Sequence, residues 1–336
     1  MQIVFFGVNQ EEENILTELL DGAGSLVFNR ETLRRENAHK AHDAQIVSMF
    51  VGAEANSKVI DLMPNVKFLV TRSTGYDHID VAHAKKKGIK VANVPAYGSR
   101  TVAEFTFALM LMLARKVHEA NHNLREEMNF DIAELRGFDL YGKTLGVVGL
   151  GKIGQNVVKI ARGFGMPVIG CDKYPDQNFL KEYHFSCVAL PTLLKQADIV
   201  TLHVPHVKET YHLINSENIS LMKDGAYLIN TARGEIVETD ALVKALQSKK
   251  LAGAGLDVLE GEQALKEEIE LVTNQKKWHG DFRTLLENHI LIELPNVVVT
   301  PHIAFYTKEA ERRILETTAE NIRAFVDGKF QNIIES

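Results

Sequence analysis

The stretch LGVVGLGKIGQNVVKIARGFGMPVIGCD, residues 145–172, decides how this chain is read. Five residues of β type, 145–149, run into Gly149-Leu150-Gly151-Lys152-Ile153-Gly154. Beyond them Ile153, Val157, Ile160, Ala161 and Phe164 recur at helical spacing, and a second apolar run, 167–171, ends at Asp172. A glycine-rich turn between a strand and a helix is suited to a pyrophosphate. Gly149 makes the tight turn, Gly151 lets the phosphates approach the backbone, and Gly154 lets helix and strand pack closely. The helix N-terminus, opening at Lys152 and Ile153, offers free N–H groups and a positive dipole end. Asp172 lies 18 positions past Gly154, where a carboxylate accepts hydrogen bonds from the adenosine ribose diol. Its charge repels a 2′-phosphate, so the pattern favours NAD over NADP, with neighbouring Lys173 the one opposing charge.

Composition bounds the rest. At 336 residues the chain exceeds a usual single domain, which predicts two. An apolar content of 45% and a charged content of 24% are those of an ordinary globular protein. A net charge of −6 and a pI near 6.1 carry no electrostatic footprint for nucleic acid. Two cysteines, Cys171 and Cys187, make neither a disulfide framework nor a metal site. The chain opens on a strand pattern without a basic, cleavable leader, and its longest uncharged apolar run, 105–114, is too short to span a bilayer. These features predict a cytoplasmic protein with no membrane partner.

Strand-like and helix-like segments alternate over the first hundred residues. Short β candidates fall at 3–6, 25–28, 46–50, 68–71 and 90–93, with helical patterns between them, which argues for a parallel sheet covered by helices. No glycine-rich phosphate loop follows any of these strands. The segment 72–80, RSTGYDHID, follows one of them and admits two readings. Backbone N–H groups at Thr74 and Gly75 lie where open α/β sheets bind ligands and suit a small carboxylate. Equally, the segment is a turn in which Asp77 caps a helix over 79–87. Pro95-Ala-Tyr97-Gly98-Ser99-Arg100 then breaks the pattern as a hinge would. The helix predicted over 101–116 is apolar nearly all round, which means burial either in a central core or against a second subunit.

Further β candidates lie at 197–203, 226–230, 252–257 and 297–300. Polar residues gather at their downstream ends: His203, Thr231 with Arg233, Asp257, and His302. In a doubly wound sheet those ends line the crevice where cofactor and substrate bind.

The ordered set GLGKIG (149–154) with Asp172, HVP (203–205), INTARGEIVETDAL (229–242), GLDVLEGE (255–262) and TPHIA (300–304) resembles the D-2-hydroxyacid dehydrogenase family along essentially the whole chain. The resemblance implies two doubly wound parallel-sheet domains. A Rossmann NAD-binding domain (100–300) is inserted into a flavodoxin-like substrate, or catalytic, domain (1–99 plus 301–336), and the last helical pattern, 306–326, returns to the latter. It implies that Arg233 binds substrate, that His302 is the acid/base, and that Glu262 partners the histidine. Glu262 is preferred to Glu260 on register, five positions after Asp257. The resemblance also brings His203, Val204, Pro205, Thr231, Ala232, Arg233, Asp257 and His302 to the cofactor. The residue types suit reduction of a 2-keto acid. A guanidinium grips a carboxylate and polarises a carbonyl, and an imidazole held by a carboxylate delivers a proton near neutral pH.

Within that family, HIAFYT (302–307) and the tyrosine-bearing Pro95-Ala-Tyr97 resemble the D-lactate dehydrogenase branch, as does the extra stretch 267–294 with the single tryptophan, Trp278. The expectation is a homodimer, joined through the nucleotide domain, that interconverts pyruvate and D-lactate with NAD. Tyr97, with Thr74 and Gly75, would contact substrate. Arg100 near the hinge would welcome a second anionic group and leaves a glyoxylate or hydroxypyruvate reductase as the enzymatic alternative. A non-catalytic NAD(H)-sensing regulator is the alternative from another class.

Overall fold

The computed structural model describes residues 1–262, 264–265 and 281–335. They form two compact units, Met1–Tyr97 with Tyr306–Ser336, and Gly98–Phe305.

The first unit holds five strands: β1 (Gln2–Phe6), β2 (Ser25–Asn29), β3 (Ile46–Met49), β4 (Phe68–Thr71) and β5 (Lys90–Ala92). All pair in parallel, in the order β2-β1-β3-β4-β5. The order reverses between β1 and β3, the flavodoxin-like arrangement that the family resemblance implies. Every residue of β3 and β4 is buried, because helices cover both faces. On one face Val4, Val47 and Leu69 pack with Val59, Ile60 and Ala84. On the other, Ile3, Phe5, Ile46 and Phe68 meet Leu16 and Leu20 together with Leu315, Ala319 and Ile322. The last three belong to helix Lys308–Val326, which Thr307 caps and which Asn321 ties to the Asn93 carbonyl at 2.9 Å. Each fully buried large aliphatic there contributes about 1.5–3 kcal/mol. The helix after β4 runs Val81–Lys86, and its cap is Asp80, whose Oδ1 accepts from the His83 N–H at 2.9 Å. Asp77 is not the cap: it is exposed and lies four residues before Val81, too far back for a carboxylate that must accept from an N–H two or three positions on.

The second unit holds seven parallel strands: β6 (Leu145–Val148), β7 (Val168–Cys171), β8 (Ser186–Cys187), β9 (Ile199–Leu202), β10 (Ala226–Asn230), β11 (Leu251–Leu256) and β12 (Val297–Val299). Their order is β12-β11-β10-β9-β6-β7-β8, so the sheet reverses between β6 and β9. That reversal puts the glycine-rich turn after β6 at the crevice of a Rossmann sheet. Helix Ser99–Arg115 packs inside this unit, with Ala103, Phe107, Leu109, Met110 and Ala114 against Leu145, Val147, Ile199 and Ile229. It is a core helix. It stops at Lys116, where φ is +49°, and the next helix, Val117–Glu127, buries none of its residues. Of the stretch 267–294, positions 267–280 with Trp278 lie outside the described residues. Helix Phe282–Glu293, capped by Asp281, makes up most of the remainder. Among the described residues no helix is long and apolar enough to cross a membrane.

Candidate active site

The glycines of the β6 turn differ in what surrounds them. Gly149 has φ +93°, and a Cβ there would lie 2.6 Å from the His203 carbonyl oxygen. A Cβ on Gly154 would collide with the Gly149 carbonyl oxygen, so helix and turn touch backbone to backbone. A Cβ on Gly151 would meet nothing within 4 Å. Open space therefore adjoins the start of helix Lys152–Gly163, which has no side-chain cap and no acid in its first turn. Its first N–H groups lack intrahelical partners and its dipole presents a positive end. Asp172 closes the neighbouring strand. Its Oδ2 accepts from the Leu150 N–H at 2.6 Å and its Oδ1 from the Tyr174 N–H at 2.7 Å, which leaves further lone pairs on both oxygens.

Across the reversal, His203 follows β9. Its Nε2 lies 2.9 Å from Thr201 Oγ1, while its buried Nδ1 has no partner among the described residues. Burial pushes this imidazole down to about 3, so it is neutral at physiological pH. Val204 is half-buried and Pro205 exposed. After β10, Thr231 is buried with its hydroxyl 3.1 Å from that of Thr106. Ala232 N–H donates to Asn230 Oδ1 and Asn230 Nδ2 donates to the Arg233 carbonyl, which shapes the loop. Arg233 is half-buried and, among the described residues, enters no ion pair. Its Nη1 donates to the Ala232 carbonyl at 2.7 Å, leaving the rest of the fork for an anion.

His302 and Glu262 meet. Nδ1 of the ring lies 2.7 Å from Glu262 Oε1, and because a carboxylate only accepts, Nδ1 carries the hydrogen and Nε2 is left for proton exchange. His302 has φ +57°, a left-handed conformation that must be held by its surroundings. Asp257 holds it. This buried carboxylate accepts from Thr300 Oγ1 at 2.6 Å, the Ile303 N–H at 2.9 Å and the Ala304 N–H at 2.8 Å. Burial raises its pKa more than these hydrogen bonds lower it. Glu260 faces another way, its Oε1 lying 2.7 Å from His212 Nε2.

Comparison with known proteins identifies the family. The family described as D-isomer specific 2-hydroxyacid dehydrogenase, NAD binding domain, matches residues 107–304. The chain belongs to the D-isomer specific 2-hydroxyacid dehydrogenases. It is 34% identical to D-lactate dehydrogenase of Escherichia coli over 98% of both chains. It is 38% identical to glyoxylate reductase of Korarchaeum cryptofilum over 82% of this chain and 77% of the relative. A crystal structure of D-lactate dehydrogenase from Aquifex aeolicus, complexed with NAD and lactic acid, superposes with a TM-score of 0.86 at 39% identity, over 97% of this chain and 96% of the other.

As a member of this oxidoreductase family the chain takes NAD, and its own residues fit the group. An uncapped helix start beside the open face of Gly151 suits phosphates, Asp172 retains acceptor capacity, and His203, whose Nδ1 has no partner among the described residues, follows the strand across the same turn. In the first unit of the dehydrogenase, the N–H groups of Thr74 and Gly75 meet no acceptor among the described residues. Their loop is held by Thr74 Oγ1 donating to the Val94 carbonyl and Ser73 Oγ donating to that of Gly75. Tyr97 is half-buried at the end of that segment.

Sequence reading passed over two groups. Arg72 is fully buried beneath the Thr74 loop, donating to the Phe6 carbonyl at 3.0 Å, the Gly7 carbonyl at 2.6 Å and Ser48 Oγ at 3.2 Å. Desolvation lowers its pKa to about 10. The other is the His212–Glu260 pair. Their partners stand 65, 66 and 48 positions away, beyond the reach of any local pattern.

Proposed function

We propose that the chain is an NAD-dependent dehydrogenase whose substrate pair is pyruvate and D-lactate, with Arg233, Glu262 and His302 as its catalytic residues. The observation that carries the reading is the 2.7 Å contact between His302 Nδ1 and Glu262 Oε1, which keeps a hydrogen on Nδ1 and leaves Nε2 to take up and give the catalytic proton. NAD(H), when bound, supplies or takes the hydride at the substrate's second carbon. The chain's residues do the rest. Arg233 grips the substrate carboxylate and draws electron density towards the keto oxygen through its free donors. His302, charged at the outset, gives its Nε2 proton to the oxygen as negative charge develops there, and Glu262 stabilises that charged ring, which forms again when the hydroxy acid is oxidised. Asp257, through its three bonds to residues 300–304, braces the histidine. Thr74, Gly75 and Tyr97 are assigned to substrate binding in the first unit. His203, Val204, Pro205, Thr231 and Ala232 are assigned to the cofactor.

Lactate is favoured over other 2-hydroxy acids by HIAFYT at 302–307 and by Tyr97. Similar identity to glyoxylate reductases supports a second reading, and kcat/KM compared across glyoxylate, hydroxypyruvate and pyruvate separates the two. Arg233→Ala and His302→Ala are each expected to lower pyruvate-dependent NADH oxidation by 10²–10⁴-fold, roughly the range general acid–base catalysis supplies. Wild-type turnover in both ends the proposal. We also assign a homodimer joined through the nucleotide unit. Val117, Leu124, Met128, Phe130 and Ile132 are exposed there, a group of large apolar side chains within one short stretch of the unit. Sedimentation of Phe130→Asp as a monomer would support it, and an unchanged profile would not.

A further inference from the structure

Glu260 sits where several segments of the second unit converge. Its Oε1 lies 2.7 Å from His212 Nε2, and its Oε2 accepts from the Thr239 hydroxyl at 2.7 Å and the Thr239 N–H at 3.4 Å. Its carbonyl oxygen accepts from Asn288 Nδ2 at 2.8 Å. The turn after β11 is thereby fastened to the loop at His212, to the start of helix Thr239–Gln247 and to helix Phe282–Glu293. Two residues on, the same turn carries Glu262. It also presses against the loop that carries Arg233, for a Cβ on Gly234 would collide with the backbone of Leu259 and Glu260. The His212 N–H donates to the Glu235 carbonyl at 2.9 Å, which closes the circuit. His212 itself has φ +48°, and Tyr211 stacks on its ring with centroids 4.0 Å apart. A strained residue persists where its surroundings over-determine it.

We propose that Glu260 is a positioning residue: clamped between His212 and Thr239, its carboxylate fixes the turn bearing Glu262 against the loop bearing Arg233. The proposal rests on the catalytic reading of those two residues and of His302. A carboxylate suits the task because its two oxygens accept from different directions at once. The need is geometric. A shift of about 1 Å breaks a hydrogen bond such as that between Glu262 and His302, and misplacement of this size costs on the order of 10²-fold in rate.

The test measures kcat, KM for pyruvate, NADH Kd by fluorescence titration and Tm in folded variants. Glu260→Ala is expected to lower kcat by on the order of 10²-fold while NADH Kd stays at the wild-type value. Glu260→Gln, whose amide reaches the same two partners, is expected to recover most of that rate. His212→Asn tolerates the left-handed backbone, removes the ring, and stands in if Glu260→Ala does not fold. It is expected to cost roughly tenfold in kcat and to add nothing to Glu260→Ala, since the two share one interaction. Wild-type kcat in Glu260→Ala or in His212→Asn overturns the proposal. So does a Gln variant as slow as the Ala variant, or NADH affinity falling in step with kcat. Arg233→Ala runs beside them, and full activity there would sink the catalytic reading rather than the positioning role.

Discussion

Both units are doubly wound parallel sheets, and each leaves its first central strand through a glycine at positive φ, Gly7 at +66° after β1 and Gly149 at +93° after β6. The two helix starts beyond these glycines differ. After Gly149 the helix begins without a side-chain cap, and Gly151 faces open space. After Gly7 the helix Gln10–Leu19 closes on itself. Asn9 Oδ1 accepts from the N–H groups of Glu11 and Glu12, and Glu12 returns a bond to the Asn9 N–H at 2.8 Å. Glu11, Glu12 and Glu13 make that first turn negative, and Arg72 reaches the Gly7 carbonyl from below. An anion meets free donors at one helix start and three carboxylates at the other. Topology supplies a crevice in both sheets. A few residues at the helix start determine whether a ligand or the chain's own side chains satisfy it.

The largest expected effect that could break this contrast is Gly154→Val. The new side chain must displace the Gly149 carbonyl, and NADH affinity by fluorescence titration is expected to fall by more than about 100-fold, or 2.7 kcal/mol. Wild-type affinity would mean that the close backbone approach does not shape the cofactor site. Asp172→Ala is expected to weaken NADH about tenfold and NADPH less, because the lost charge no longer repels a 2′-phosphate. An unaltered ratio of the two affinities counts against the ribose assignment.

Acid sharpens the contrast further. In the folded chain His203 is held at about 3, against 6.5 for an ordinary histidine, so below pH 6.5 the unfolded chain takes up a proton that the folded one refuses. Its contribution to stability is therefore intact above pH 6.5 and falls as the pH drops towards about 3. Between pH 7.5 and 5 the wild type is expected to lose on the order of 1–2 kcal/mol more than His203→Gln in denaturant titrations. Equal losses would refute the assignment. The smallest effect belongs to Gly7→Ala. A Cβ there has room, its nearest neighbour being Thr32 Oγ1 at 3.7 Å, so only the positive φ is penalised, by about 1 kcal/mol in unfolding free energy. NADH affinity should not move, and if it drops the two crevices are not independent in the way described.

Much of the fold was legible because the strands are short apolar runs bounded by turns. β4 and β10 lie where the pattern put them, at 68–71 and 226–230. β8 escaped notice because a two-residue edge strand has no period to detect. The helix expected over 101–116 does end at the left-handed Lys116, but the helix Val117–Glu127 that follows escaped notice, since it buries none of its residues and carries no apolar face to detect. In the site, the glycine turn and Asp172 could be read from local spacing. The choice between Glu260 and Glu262 rested on register alone, and what separates them in space is the direction each side chain takes from one turn, towards His212 or towards His302. Arg72 looked like a loop residue after a strand. Only the assembled sheet reveals that the carbonyls of Phe6, at the end of β1, and of Gly7 just after it converge on it with a hydroxyl from β3.

The first unit is split in the chain, and this governs the order in which it can be completed. Residues Met1–Tyr97 are made before helix Lys308–Val326, which shares with Leu16 and Leu20 the covering of Ile3, Phe5 and Phe68. All of Gly98–Phe305 must be translated first. At roughly 5–20 residues per second that is a delay on the order of ten to forty seconds. Throughout it, the part of the N-terminal sheet face that this helix covers lacks its partner, while Gly98–Phe305 emerges as one contiguous stretch.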